Sequence, residues 1–319
     1  MFETTSYSDQ AQHASAIVFC CDRNFYPYAL FAASRIAELE ADRDFDICIC
    51  SDEPLEMPEG LKPHNIWLLK IDCGTVFSGF DLDARRSQAT YLRLALPTAL
   101  AADYKRILYL DSDVFPQRGG FSALFTLDLK DAVFGAVRDN QQWRHLKRQP
   151  EDYVPLKLDA APYFNAGVLL IDTETWLEVD ALQHCLDTGA KYQGRLRHKD
   201  QTLLNIAFQG RWAELSPTWN WQYSWKSRLL EAMKSPHLVH FIGKTKPWVD
   251  PEQILPPRFA ICLREFLMQH MPSASLPRIP LGAAAQPRLM RRMGIRHAVD
   301  AYRSAAYLSR FADDLSVLR

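Results

Sequence analysis

Residues 106–115, RILYLDSDVF, decide the fold. Residues 107–110 are an apolar run too short for a helix, and the run reads as a buried strand. Asp111, Ser112 and Asp113 follow at once. Carboxylates at i and i+2 point to one side of a strand, and where the chain turns at a strand end they can converge on one cation. Two anions that close repel unless positive charge sits between them or one is protonated. A hard divalent ion held by oxygen, Mg²⁺ or Mn²⁺, resolves the repulsion and commonly brings phosphate oxygens with it. The stretch therefore points to a metal–diphosphate site at the carboxyl end of a central strand, where open α/β sheets place ligands. Two other readings compete. A plain polar turn would lead into the loop marked by Pro116 and Gly119-Gly120. A D-x-D phosphohydrolase wants Thr or Val two residues beyond its second Asp, where this chain has Phe115, and here the strand lies a third of the way into the chain.

Upstream, residues 16–21 (AIVFCC) read as a strand that ends at Asp22-Arg23-Asn24, and residues 25–40 read as a helix. Strand, polar turn and helix open a nucleotide-binding βα unit, here without a Gly-rich fingerprint for a dinucleotide or a P-loop. Asp22 and Asn24 are candidates for nucleotide contact, and a helix N-cap explains them as well. Residues 46–51 and 66–71 are two more strands, joined by loop. Residues 85–102 read as a helix broken near Pro97 that carries Arg93 just before the D-x-D strand. An Arg there grips a carboxylate or phosphate bidentately, or is a solvated helix charge.

Downstream, residues 131–137 form another strand, and the polar residues 139–159 read as a mobile connection or lid. In residues 163–172, YFNAGVLLID, the triplet Asn165-Ala166-Gly167 interrupts the apolar pattern. It marks either close approach of backbone to a ligand or a β-bulge. Residues 175–191 read as one helix, 195–200 (RLRHKD) as a turn and 201–208 as a further helix. Capping accounts for Asp200 at its start and less well for Gln201. Trp212, Trp219, Trp221, Tyr223 and Trp225 stack on sugar rings or build core. Residues 238–242 (LVHFI) read as the final strand. His240 within it is a core residue unless two aspartates lie close, in which case it is a metal ligand. Gly243 then opens a loop with two lysines, GKTKPW, suited to phosphate.

The 319 residues allow one large or two small domains. An apolar share of 48% and a charged share of 24% are ordinary for a soluble globular protein. A net charge of −1 names no partner, and no nucleic-acid partner is expected. Seven cysteines are an odd number without a C-x-x-C pair, and Cys20, Cys21, Cys48 and Cys50 lie in apolar runs. This fits a reducing cytosol better than a disulfide scaffold. The polar N-terminus does not suit a signal peptide, and no apolar run approaches the roughly 18–20 residues needed to span a bilayer. From Pro272 the character changes: residues 278–319 carry eight arginines against three aspartates, an excess of five positive charges. Ile295, Val299, Tyr302 and Ala306 have helical spacing, as do Leu308, Phe311, Leu315 and Leu318. Such a basic amphipathic helix lies on an anionic membrane surface or packs on the domain or a second copy. The expected division is a catalytic domain over 1–271 and a helical tail over 272–319.

Four pieces now stand in one order: LYLDSDV, YFNAGVLLID, HKDQTLLN and HFIGKTKPW. Together they resemble the retaining glycosyltransferases of family 8, the glycogenin and bacterial lipopolysaccharide galactosyl- and glucosyltransferase group, over residues 17–248. The resemblance implies an α/β GT-A fold, a Rossmann-like mixed sheet in a single nucleotide-sugar-binding domain. It implies a UDP-glucose or UDP-galactose donor, Mn²⁺ or Mg²⁺, and a glycan or glycolipid acceptor such as lipopolysaccharide. By the same resemblance Asp111, Asp113 and His240 would hold the metal, with Ser112 among the donor-binding residues. Cys20, Asp22, Asn24 and Phe25 would hold uracil and ribose, Arg93 would lie near the donor sugar, and Gly243 and Lys246 would contact phosphate. Asn165, Asp200 and Gln201 would surround the sugar ring, with Gln201 beneath the anomeric carbon. The family often has a hydroxyl-bearing aromatic where Phe25 stands, so stacking is kept and a hydroxyl bond lost. The expected place is the cytoplasm, with the basic tail near the inner membrane face. The alternatives are a sugar-nucleotide-binding protein without transfer activity and the D-x-D phosphohydrolase. Asp111, Asp113, His240 and Asp200 together argue against the first, Phe115 against the second.

Overall fold

The computed structural model describes residues 2–6, 11–80, 89–224, 227–282 and 285–318. Arg85 at the expected helix start, Trp225 of the aromatic stretch and Arg319 of the tail lie outside these residues. The first half of the chain runs β1 (Glu3–Ser6), β2 (Ser15–Cys20), α1 (Tyr26–Leu39), β3 (Asp46–Ser51), β4 (Ile66–Asp72), α2 (Ala89–Leu100), β5 (Arg106–Leu110), β6 (Val114–Pro116), α3 (Phe121–Phe125) and β7 (Phe134–Arg138). The second half runs β8 (Phe164–Asp172), α4 (Thr173–Glu178), α5 (Ala181–Lys191), α6 (Asp200–Ala207), β9 (Trp212–Leu215), β10 (Trp221–Gln222), α7 (Glu231–Lys234), β11 (Leu238–His240), α8 (Pro257–His270), α9 (Pro287–Leu308) and β12 (Val317–Leu318).

One mixed sheet of nine strands, ordered β1-β4-β3-β2-β5-β8-β7-β9-β12, forms the centre. β4, β3, β2 and β5 are mutually parallel, and β8 runs antiparallel to both β5 and β7. The central strands are apolar on both faces because both are covered. Ile17, Phe19, Leu108 and Leu110 face one layer, where α1 packs. Ala16, Val18, Ile107 and Tyr109 face the other, where α2 packs. A second sheet, β10-β11-β6, crosses the carboxyl end of β5. Its β6–β11 ladder sets His240 opposite Val114, the residue after Asp113.

Several expectations are corrected. The helix that holds Arg93 continues through Pro97 to Leu100 rather than breaking there. The expected helix over 175–191 is two, because Asp180 adopts φ 47°, ψ 50° and turns the chain between α4 and α5. The stretch 139–159 is no loose lid: Gln142, Asp152 and Tyr153 are fully buried and bonded into the body of the protein. Trp212, Trp219, Trp221 and Tyr223 are all buried, so they build core. β11 is not the final strand, since β12 pairs antiparallel with β9. In the tail, Ile295, Val299 and Tyr302 face outward, while Met293, Asp300, Ser304, Tyr307 and Leu308 form the buried face of α9. Phe311, Leu315 and Leu318 lie beyond that helix. All seven cysteines are free thiols.

Candidate active site

β5 delivers Asp111 at its carboxyl end, and the β6–β11 ladder brings His240 back across it. His240 Nε2 lies 3.1 Å from Asp113 Oδ1 and 3.8 Å from Asp111 Oδ2. One ligand atom from each of the three residues falls within 4.8 Å of the others. His240 Nδ1 is bonded to Asn220 Oδ1 at 2.9 Å, which leaves Nε2 as the lone pair that faces the carboxylates. Asp113 Oδ1 is buried and has no hydrogen-bond partner among the described residues. A buried carboxylate oxygen beside an imidazole lone pair is a repulsive arrangement that a cation resolves. The donor set therefore fits a divalent ion with oxygen and imidazole ligands. Burial alone would raise the Asp113 carboxyl, but the Lys246 ammonium outweighs burial and holds it well below the usual carboxylate range. Lys246 Nζ pairs with Asp113 Oδ2 and bonds the Phe241 carbonyl.

Arg93 ties this cluster to the sugar-side residues. Its Nη2 donates to Asp111 Oδ1 at 2.8 Å, its Nη1 to the Ala166 carbonyl at 2.9 Å, and its Nε lies 3.1 Å from Asp200 Oδ2. The guanidinium also sits 4.4 Å from the Tyr109 ring, whose hydroxyl donates to Asp111 Oδ1 at 2.6 Å. Burial lowers the Arg93 pKa, yet Asp111 and Asp200 more than restore it, so the group stays charged. Asp200 thus serves Arg93 while also standing, as the acidic residue of the first turn, at the positive end of α6. Gln201 is pinned at both ends of its amide. Its Oε1 accepts from Asn165 Nδ2 at 3.1 Å and from the Ala166 N–H at 3.2 Å, and its Nε2 donates to Asp139 Oδ2 at 3.3 Å.

The triplet Asn165-Ala166-Gly167 is both a bulge and a close approach. Pairing with β7 jumps from Ala136↔Leu169 to Val137↔Asn165, which leaves residues 166–168 without partners on that side. The freed backbone serves the site: Gly167 O accepts from the Asp111 N–H at 2.9 Å, and Gly167 N–H donates to Asn165 Oδ1 at 3.1 Å.

The expected residues thus fall into two groups. Asp111, Asp113, His240, Lys246, Arg93, Asn165, Asp200 and Gln201 form one connected network. The others surround it. Cys20 ends β2, the strand beside β5, close enough to influence Arg93 electrostatically. Asp22 Oδ1 accepts from the N–H groups of Asn24 and Phe25 at 3.0 Å each, so it caps the turn into α1. Phe25 is exposed and meets Tyr28 edge-on. Tyr28 in turn stacks on Trp248 at 3.6 Å, which joins α1 to the loop of Lys246. Ser112 is buried between the two carboxylates, and Gly243 is exposed with φ 78°. Three residues were not expected. Asp139 follows a buried strand just as Asp111 does, and that pattern was there to read. Tyr109 lay within the quoted strand. Asn220, which bonds both His240 and Asn165, has no mark in the sequence.

A mixed sheet with strand-end aspartates and a returning histidine is the GT-A arrangement. Residues 16–252 match glycosyl transferase family 8, and the chain belongs to that family. General stress protein A of Bacillus subtilis (strain 168) is 26% identical over 270 residues, 75% of this chain and 88% of that protein. Lipopolysaccharide 1,2-glucosyltransferase of Escherichia coli (strain K12) is 29% identical over 173 residues, 51% of this chain and 49% of that enzyme, so the match spans about half of it. The crystal structure of galactosyltransferase LgtC with donor and acceptor sugar analogs has a TM-score of 0.64 and 25% identity, covering 80% of this chain and 96% of that one.

Proposed function

We propose that this chain is a retaining hexosyltransferase that moves glucose or galactose from a UDP-sugar to a glycan or glycolipid acceptor, such as lipopolysaccharide or another surface glycan, with Mn²⁺ or Mg²⁺ at Asp111, Asp113 and His240. The observation that carries it is the Arg93 bridge, which joins the cation-ready cluster to Asp200 and Gln201 in a single network. The names of the glucosyltransferase and galactosyltransferase relatives favour a hexose donor and a surface glycan.

In this reading the bound ion supplies Lewis-acid stabilisation of the diphosphate. Lys246 adds a fixed positive charge where the leaving UDP gains negative charge. Arg93 holds Asp111 and Asp200 at a set separation, and so aligns the phosphate end of the donor with the sugar end. As the sugar–phosphate bond breaks, the sugar becomes oxocarbenium-like. Gln201 Oε1 already accepts two hydrogen bonds and an amide is a poor nucleophile, which supports same-face attack over a covalent intermediate. The acceptor hydroxyl then bonds the anomeric carbon on the face that UDP leaves, and its proton passes to the departing phosphate oxygen.

No described helix is long and apolar enough to cross a membrane. The outer face of α9 nevertheless exposes Ile295 (64%), Val299 (46%) and Tyr302 (84%) between the exposed arginines 288, 291, 292, 296 and 303. That composition supports cytoplasmic enzyme in peripheral contact with an anionic membrane surface.

The test is UDP release from a panel of UDP-sugars, with Mn²⁺ and with EDTA, for the unchanged chain and Asp113→Ala. Turnover of one UDP-hexose that needs the metal and disappears in the variant is the expected result. Absence of both turnover and UDP binding would overturn the reading.

A further inference from the structure

The chemistry above leaves the buried charge of Asp152 without a task. Asp152 is 1% exposed and is held by side chains from other segments. Tyr163 Oη donates to its Oδ2 at 2.5 Å, and His198 Nδ1 lies 2.9 Å from Oδ1 and 2.8 Å from Oδ2. A carboxylate is costly to bury, so its bonds must fix something worth holding. What they fix is the His198 imidazole, in one orientation and with Nδ1–H toward the carboxylate. The His198 side chain is 46% exposed, and with Nδ1 engaged its Nε2 edge is the one open to solvent.

The place of this pair follows from the contacts already described. From the metal-ligand end the network runs Asp111, Arg93, Asp200, then Gln201, then Asp139. His198 comes next: Gln201 N–H donates to its carbonyl at 3.0 Å, and Asp139 acts on its charge. Asp139 and Asp152 belong to one packed segment, so the dyad and Gln201 share a wall. A donor anchored by its diphosphate reaches Gln201 with its sugar, and a group beyond the sugar belongs to the acceptor.

The segment that carries the imidazole, residues 195–199, RLRHK, is basic, with Arg195 and Arg197 exposed and Lys199 half-buried; of these Arg197 acts on the imidazole and is shared with Glu151 at 3.7 Å. Lys199 has φ 47° and ψ −115°, a conformation that L residues rarely adopt, directly before Asp200. The geometry points to His198, held by Asp152, as the residue that recognises an anionic group, phosphate or carboxylate, on the acceptor glycan. The inference rests on the transferase reading and adds the acceptor's chemistry to it.

Three charged groups bear on the imidazole. The hydrogen bond to Asp152 comes first, burial opposes it, and the charges of Asp152 and Asp139 add while Arg197 subtracts; the net effect raises the His198 pKa. Anion recognition is therefore complete below the ordinary histidine range and fades as pH rises through the raised value.

The experiment uses the whole chain saturated with UDP and Mn²⁺, titrated by calorimetry with glucose 6-phosphate, glucuronate and glucose. At about pH 6 one of the two anionic sugars is expected to bind about tenfold or more tighter than glucose, and which one does so separates phosphate from carboxylate. His198→Gln, and a rise to about pH 8.5, are each expected to remove most of that preference. Asp152→Asn should shift the loss of preference to lower pH. Equal binding of all three sugars, or a preference that survives His198→Gln, would overturn the inference. If UDP itself fails to bind, the transferase reading falls first, and this one with it.

Discussion

Gly167 leaves no room for a side chain. A Cβ built there would collide with His240 Cε1 and lie 2.8 Å from Asp111 Oδ2. Gly167→Ala is therefore expected to cut metal affinity about 10–100-fold, as displacement of ligand geometry commonly does. Titration of the UDP-bound protein with Mn²⁺, followed by electron paramagnetic resonance, measures this; unchanged affinity would mean the three residues do not share an ion. The same pocket shows what a sequence can convey about single residues. Asp111 and Asp113 stand out because an apolar strand stops abruptly at two carboxylates. His240 gains meaning only beside its motif, since a lone histidine in LVHFI is ordinary core. Arg93 is visible as an Arg near the site, but its three-way grip depends on a bulge carbonyl that no pattern of side chains announces. Asn220 lies 20 positions from His240 and 55 from Asn165, and its bonds to both are a property of the packed chain.

Elements differ in legibility for reasons of length. β2, β3, β4, β5 and β8 are buried on both faces and read as apolar runs. α8 was not expected, although Phe259, Ala260, Leu263 and Leu267 stand at helical spacing and the pattern was there to read. β1, β6, β10 and β12 are two to four residues long, too short for alternation to be told from chance. The segment before β12 is held by an ionic socket. Asp314 pairs with Arg118, accepts from Thr218 Oγ1 at 3.0 Å and meets His237 Nε2 at 3.2 Å, while the His237 ring stacks on Trp219 at 3.7 Å. Burial holds the His237 pKa below its ordinary value. Burial raises that of Asp314, but Thr218 and Arg118 outweigh it and bring it below. In both cases the unfolded chain binds the proton more readily, so stability falls on acidification. The loss due to His237 begins as pH drops through about 6.5, and that due to Asp314 below about 4. His237→Gln should flatten the fall in Tm between about pH 7 and pH 5. His198 acts in the opposite direction but is present in both proteins, so it cancels in the difference. An identical slope in the variant would remove His237 from the account.

At the scale of the molecule, α9 presents two unlike faces. Its inner face carries Asp300, paired with Arg144 at 2.6 Å, and Tyr307, stacked with Trp143 at 5.6 Å. Its outer face is the arginine-flanked stripe of Ile295, Val299 and Tyr302. The helix is legible as an amphipathic segment; which stripe turns inward is not, because the buried face mixes Asp300 and Ser304 with Met293, Tyr307 and Leu308, while the aliphatic Ile295 and Val299 face outward. Sedimentation with vesicles is expected to show binding to phosphatidylglycerol and none to phosphatidylcholine, weakened by high salt. Ile295→Asp combined with Val299→Asp should weaken it about tenfold or more. Binding that ignores both lipid charge and the double substitution would assign that face another role. The bulge after Asn165 has a different kind of consequence. Residues 166–168 are surplus on one side of β8, yet on the other Val168 still pairs with Leu110 and the Gly167 carbonyl still accepts from the Asp111 N–H. Deleting one of them would swing Leu169, Leu170 and Ile171 to the opposite faces of the sheet and carry the Ala166 carbonyl away from Arg93. An insertion or deletion between Asn165 and Leu169 would therefore strike fold and chemistry at one stroke, which one in an exposed surface turn would not.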